Sequence, residues 1–284
     1  MEGLRLLNTE TAKWSVWDFS GVYENLSYPP RSGPAVHLDM SGMTGTNCYC
    51  DDEAAAQIRE RMTSSPECPI HFIDSGNYHY MTNLFLRGMT RRYILVVFDN
   101  HTDMQPPAFG GLLSCGGWLA DAVMRFENLR EVWLIGPEEE AFSAVPEELK
   151  EKVRFFSREE LAAYRAERSF DAEVLNRLSE REIPTGDEAP ECVYVSIDKD
   201  VLSEEYISTT WSMGDMSPDE LIRVLDLCLS KARENGLQIA GIDICGEAEP
   251  HDAEGCTKSS TVNRALLEYL TNCWPAADSE ADCR

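Results

Sequence analysis

The chain predicts an α/β fold of three layers, with a mostly parallel central sheet and helices on both faces. Three observations carry that expectation. Strand-like and helix-like segments alternate along most of the 284 residues, the order that a parallel sheet with crossover helices requires. The runs Tyr93-Ile94-Leu95-Val96-Val97-Phe98 and Val193-Tyr194-Val195-Ser196-Ile197 lack polar alternation, as strands covered on both faces do. No internal repeat, low-complexity linker or composition break divides the sequence, so residues 1–284 read as a single domain.

The elements follow in order. Residues 1–33 read as an irregular N-terminal segment anchored by Trp14, Trp17, Tyr28, Pro29 and Pro30. A strand is expected at 35–40. Residues 51–62 form a helix, with acidic residues in the first turn and Arg59 and Arg61 in the last, which suits the helix dipole. A short strand at 70–74 leads to a helical stretch at 79–86. After the strand 93–98 come a helix at 116–126 and a strand at 131–135, which stops at Gly136-Pro137. The strand 153–156 precedes Ser157 and Glu160, a capping-box pattern that opens a charged, mostly helical stretch to residue 182. Beyond the strand 193–197, Ser217-Pro218-Asp219-Glu220 starts a helix with cap, proline and box glutamate. That helix ends at Asn235-Gly236. A last strand at 238–244 and a last helix at 259–270 complete the set. The small, acidic residues 275–284 read as a disordered tail.

Composition narrows the function. A hydrophobic fraction of 43% and an aromatic fraction of 9% are those of a globular protein. The net charge of -25 argues against nucleic acid and anionic membrane as partners. It leans only weakly toward a cationic ligand, since an acidic surface that aids solubility explains it better. There is no secretory signal and no apolar run of spanning length, so the chain is expected in the cytoplasm. Its ten Cys are then expected to stay reduced.

Chemistry concentrates at two strand ends. The strand 93–98 runs into Asp99-Asn100-His101-Thr102-Asp103, and the strand 193–197 runs into Asp198-Lys199-Asp200. Side chains two apart on an extended segment share a face, so Asp99, His101 and Asp103 can converge, as can Asp198 and Asp200. In such folds, sites gather at the carboxyl ends of strands. His79, just past the strand 70–74, adds a second imidazole. Four carboxylates and two imidazoles suit two divalent ions about 3.5–4 Å apart, which acidify a shared water. An oxygen-rich set favours Mn²⁺, with Zn²⁺, Fe²⁺ or Co²⁺ also able to occupy it. Any one of these aspartates alone reads as a turn former or helix cap; their joint placement points to metal.

These residues resemble the ureohydrolases: the arginases, agmatinases and formiminoglutamases. Asp99-Asn100-His101-Thr102-Asp103 is similar to the family's Asp-Ala-His-x-Asp, and Ser196-Ile197-Asp198-Lys199-Asp200 to its Ser-x-Asp-x-Asp. Gly76-Asn77-Tyr78-His79 looks like its glycine-rich segment ending in a His ligand. The resemblance, spanning roughly residues 70–250, implies an arginase-like fold and two Mn²⁺ ions. One would be held by His79, Asp99, Asp103 and Asp198, the other by Asp99, His101, Asp198 and Asp200. It also implies hydrolysis of a linear C–N bond in a small cationic guanidino or amidine-type substrate by a metal-bridging hydroxide. Asp103 would carry the proton, and assembly into trimers or hexamers is expected. A family glutamate that binds the guanidinium has its counterpart in Glu247, with Glu249 as competitor.

The sequence departs from the family pattern around the metal motifs. Cys115 stands where the family carries a histidine that shuttles protons or meets substrate. It reads either as a functional thiol at the site mouth or as a small residue opening a helix. Leu202 and Ser203 replace an Asp-Pro, and Asn77-Tyr78 replaces Gly-Asp before the first histidine. Two alternatives stay open: a non-catalytic metal-binding protein of the same fold, and a single-zinc, deacetylase-like amidohydrolase.

Overall fold

The computed structural model describes residues 13–106, 111–166, 169–180 and 182–273. Its centre is an eight-stranded sheet in which every neighbouring pair is parallel. The strands in chain order are β1 (Trp14–Asp18), β2 (Ala35–Asp39), β4 (Ile70–Ile73), β5 (Tyr93–Phe98), β7 (Leu129–Ile135), β8 (Val153–Phe156), β9 (Cys192–Asp198) and β10 (Gln238–Cys245). Two further short strands, β3 (Tyr49–Cys50) and β6 (Leu113–Ser114), form a separate antiparallel ribbon. Across the main sheet the order is β2-β1-β4-β10-β9-β5-β7-β8.

Strand parity builds the two hydrophobic layers. Along β5, Ile94, Val96 and Phe98 enter one cluster, while Tyr93, Leu95 and Val97 enter the other. The first cluster is covered by α6 (Arg158–Ala166), α7 (Phe170–Ser179), α8 (Pro218–Glu234) and α9 (Ala253–Cys273), through residues such as Leu161, Val174, Leu225 and Leu266. The second is covered by α1 (Asp52–Ser64), α2 (Met81–Leu86) and α3 (Trp118–Arg125), through Ile58, Leu84 and Leu119. The short helices α4 (Glu139–Ser143) and α5 (Glu147–Lys150) follow β7. The expected three-layer α/β architecture is therefore present. No helix among the described residues is long and apolar enough to cross a membrane.

Local signals hold where they have a local cause. Ser157 Oγ accepts from the Glu160 amide, and the Glu160 carboxylate accepts from the Ser157 amide, both at 3.1 Å, a complete capping box. Ser217 caps α8 in the same way, and that helix ends at Asn235.

Two expectations are corrected. The segment 1–33 is not wholly irregular, because Trp14–Asp18 forms β1, inserted between β2 and β4. Its polar Ser15 hides the strand in the sequence. Buried Ser15 meets His71 Nδ1 of β4 at 2.7 Å and accepts from Trp17 Nε1 at 2.9 Å, so its hydroxyl is satisfied across the sheet. The last helix begins at Ala253, ahead of the expected residue 259, because the Asp252 carboxylate accepts from the Gly255 amide and caps the first turn. Residues 1–12 and the tail 275–284 lie outside the described residues.

Candidate metal centre

The carboxyl ends of β5 and β9 are adjacent, and the loops leaving them supply five of the six expected ligands. At the end of β5 the Asp99 carboxylate accepts from the His101 amide at 2.6 Å, which turns the chain sharply after the strand. Asp103 then adopts a left-handed backbone, with φ of 50°, a conformation that costs a non-glycine residue about 1 kcal/mol or more. It is held there by α3. The Asp103 carbonyl accepts from the Leu119 amide at 3.1 Å, and its Oδ2 accepts from Trp118 Nε1 at 2.5 Å. At the end of β9 the Asp198 carboxylate accepts from the Asp200 amide at 3.0 Å and caps a single 3₁₀ turn over Lys199–Val201. Gly246, just past β10, has φ of 86°, and a Cβ there would lie 2.5 Å from Asp198 Oδ1. Only glycine lets that loop pass so close to the carboxylate.

His79 arrives from the 3₁₀ turn Gly76–Tyr78 after β4. Its Nδ1 lies 2.9 Å from Asp103 Oδ2, 3.2 Å from Asp99 Oδ2 and 3.5 Å from Asp198 Oδ2. Its other nitrogen, Nε2, meets Ser196 Oγ at 2.9 Å, and Ser196 donates in turn to the buried Asp243 at 2.7 Å. His101 is arranged alike. Its Nδ1 lies 2.9 Å from Asp200 Oδ2 and 3.5 Å from Asp99 Oδ1, while Nε2 meets Ser212 Oγ at 2.8 Å. Each imidazole thus has one nitrogen on a serine and Nδ1 turned to carboxylates, the orientation that outer partners impose on metal-binding histidines.

The six residues fall into overlapping groups of potential ligands. His79, Asp99 and Asp103 form one, and Asp99, His101 and Asp200 another, so Asp99 is common to both. Asp198 groups with His79 and Cys245 instead. Cys245, the last residue of β10, was not among the expected ligands. Its thiol in fact donates to Asp198 Oδ2 at 3.2 Å.

Electrostatically the cluster is short of positive charge. Burial pushes Asp200 well above the usual carboxylate range, and the charges of Asp198 and Asp99 push the same way. Burial and Asp99 raise Asp103 to about 7. Burial opposes the charged form of His101, but the contacts with Asp200 and Asp99 outweigh it and hold the ring up to about 11. His79 Nδ1 and Asp99 Oδ2 are buried with no hydrogen-bond partner of acceptable geometry among the described residues. Four buried carboxylates sharing two imidazoles, with orphaned polar atoms aimed inward, are a donor set that divalent cations fit.

Two other expected site residues fare differently. Cys115 does line the small cavity of about 30 Å³ over the cluster, beside Asp103, Gln105 and Trp211. Burial and the Asp103 charge push its thiol up, so it stays un-ionised. Glu247 does not reach the cavity. It is buried, and its carboxylate pairs with Lys199 Nζ at 2.6 Å and accepts from Asn263 Nδ2 at 2.8 Å. A glutamate already neutralised by an internal lysine has no free face for a guanidinium. Its competitor Glu249 is exposed. A larger cavity, about 500 Å³, opens from His101 and Asp103 toward Glu138 and Arg158.

An all-parallel α/β sheet with paired carboxylate and imidazole sets at adjacent strand ends defines a class of metal-site proteins. The particular family follows from comparison: residues 43–271 match the model of the arginase family, and the chain belongs to it. An uncharacterised protein of Thermotoga maritima is 30% identical over 258 residues, covering 90% of this chain and 88% of that one. Among solved structures, formimidoylglutamase of Bacillus subtilis is similar at a TM-score of 0.62 and 14% identity, covering 94% of this chain and 88% of that one. Agmatine ureohydrolase of Thermoplasma volcanium is similar at 0.60 and 15%, covering 94% and 93%.

Proposed function

We propose that this protein is a dinuclear-metal hydrolase, cleaving a linear C–N bond in a guanidino or amidino compound, with Mn²⁺ as the preferred ion. The observation that carries the reading is the pair of ligand groups sharing Asp99. One group alone would suit a single ion; two groups joined by a shared carboxylate are what two neighbouring ions use. The oxygen-rich donors favour Mn²⁺ over thiolate-seeking ions.

His79, Asp99, Asp103 and Asp198 would hold one ion, and Asp99, His101, Asp198 and Asp200 the other. Bound divalent ions would supply Lewis acidity and make a water nucleophilic near neutral pH. The chain's own residues would do the rest. Ser196 and Ser212 keep both imidazoles presenting Nδ1. The Trp118 indole fixes Asp103 Oδ2 by its 2.5 Å bond. Asp103, so fixed, would be placed to take a proton from the attacking water and return it to the leaving amine. Cys115, held as a thiol, lines the site without acting as a base.

The test is turnover of a panel of guanidino and amidino compounds by protein loaded with Mn²⁺, together with elemental analysis. Two ions per chain and activity lost on chelation are expected. An inert protein, or one that holds a single ion tightly, would overturn the reading.

A further inference from the structure

The cavity that opens from the metal cluster has a positive end. Of about 500 Å³, it is of a size that takes a small molecule. His101, Thr102 and Asp103 form its inner wall, Ala141, Val145 and Met213 give it apolar sides, and Arg158 lies among the lining residues with Glu138. Arg158 is the first residue of α6, and the Ser157–Glu160 capping box fixes the backbone from which it projects. Its amide donates to the Pro137 carbonyl at 3.0 Å.

The guanidinium is tied to the metal side of the cavity through one residue. Arg158 Nη2 donates to Asn100 Oδ1 at 2.7 Å. The Asn100 amide donates to Asp200 Oδ1 at 2.9 Å, and its Nδ2 donates to the Ser212 carbonyl at 2.9 Å. Nη2 also meets Glu138 Oε1 at 3.1 Å, but the Glu138 side chain is 51% exposed, and such a pair is weak and easily exchanged. Arg158 Nε is buried and without a partner among the described residues. One N–H of the guanidinium thus lacks a partner, and its Nη2, on a side chain that lines the cavity, is shared with a readily exchanged carboxylate, a position suited to a planar anion. The Glu138 carboxylate shows that one can be accepted there.

We propose that Arg158 binds a carboxylate of the substrate, so that this enzyme acts on an amidino or guanidino carboxylic acid in preference to the corresponding amine. The assignment rests on the hydrolase reading above for the fate of the amidino end. It revises the expectation of a purely cationic substrate: the molecule is zwitterionic or acidic, with its amidino carbon at the metal cluster and its carboxylate at α6. An amine in place of that carboxylate would meet like charge.

The experiment compares γ-guanidinobutyrate with agmatine, which presents an ammonium at nearly the same reach. Mn²⁺-loaded wild type is expected to favour the acid in kcat/KM by at least about tenfold. Arg158→Gln should cut that acid-to-amine ratio by about tenfold to a hundredfold, chiefly through KM of the acid. Arg158→Lys, which keeps the charge and loses the fork, should fall between and serves if the glutamine variant does not fold. A wild type that prefers agmatine, or a ratio that survives both substitutions, overturns the assignment. Calorimetric binding of γ-guanidinobutyrate to chelator-treated protein reads Arg158 without catalysis, because no metal then competes for the carboxylate; Kd should rise about tenfold or more in Arg158→Gln. Acid binding that depends on Arg158 with no turnover of either compound would sink the hydrolase reading alone. Turnover of both compounds with binding indifferent to Arg158 would sink this assignment alone.

Discussion

Asp198, Lys199 and Asp200 are consecutive and all buried, yet they belong to two regions that handle charge in opposite ways. On one side, Lys199 Nζ meets Glu247 Oε2 at 2.6 Å and Asn263 Oδ1 at 2.8 Å, and Asn263 also reaches Glu247 Oε1 at 2.8 Å. That region carries its own cation: Glu247 Oε2 has no hydrogen bond of good geometry among the described residues, but it sits directly on the Lys199 ammonium. On the other side, Asp198 and Asp200 join Asp99 and Asp103 around two imidazoles and leave inward-facing atoms without partners. The same strand end thus builds one closed ion pair and one open cluster. Burying carboxylates is costly in both, so the contrast is between charge balanced from within and charge that, under the proposed function, an external cation would balance.

The largest expected effect breaks the closed side. Lys199→Met keeps the side-chain length and removes the cation, stranding a buried Glu247. Loss of one partner of a buried pair typically costs about 3–5 kcal/mol, and chemical denaturation should show that loss equally with and without chelator. A variant within about 1 kcal/mol of wild type would mean that Lys199 does not neutralise Glu247, and the contrast would collapse.

The open side should instead respond to metal and pH. Without metal, His101 is held up to about 11, where burial is outweighed by Asp200 and Asp99. Asp103 is raised to about 7 by burial and by Asp99. At neutral pH the cluster therefore holds protons that an incoming cation must displace. Lower pH means more proton competition, so affinity falls as pH falls. Each displaced proton contributes about a tenfold loss per pH unit. Between pH 8 and pH 6 the Mn²⁺ affinity should drop by about a hundredfold or more, with protons released on binding in weakly buffered solution. An affinity flat across that range would show that the cluster is not the metal site.

How much of this was legible in the sequence follows from where each cause lies. Asp99, His101, Asp103, Asp198 and Asp200 were visible because their spacing directly after two apolar strands is a local pattern, although it is the tight turns after those strands, and not an extended backbone with alternate positions on one face, that bring them together. The capping boxes of α6 and α8 were visible for the same reason. β1 was not, since the partner that satisfies Ser15 is His71, 56 residues away. Nor was the fate of Glu247. A glutamate in a loop after the last strand fits a substrate role as well as a structural one until Lys199, on a different strand end, is found beside it. Cys245 ends a mostly apolar strand, and nothing local signals that its thiol meets Asp198. Arg158 was one charge among many on an acidic and basic helix, and only the fold turns it toward a cavity. The candidate ligands were legible because they come as patterns; their surroundings were not, because they come from distant chain.

The smallest effect sharpens the closed side by testing what, besides Lys199, holds Glu247. Buried Tyr23 has one hydroxyl hydrogen and two acceptors in reach, the Ile73 carbonyl at 2.8 Å and Glu247 Oε1 at 3.2 Å. The shorter contact takes most of that hydrogen, so Glu247 depends little on it. Tyr23→Phe removes the hydroxyl and leaves Lys199 and Asn263 in place, and the cost should be that of one neutral hydrogen bond, about 1 kcal/mol. Denaturation of this variant beside Lys199→Met measures the difference directly. If Tyr23→Phe costs as much as Lys199→Met, the hydrogen-bond network rather than the cation stabilises Glu247. The two regions would then differ in how many partners they hold, with no difference in how their charge is balanced.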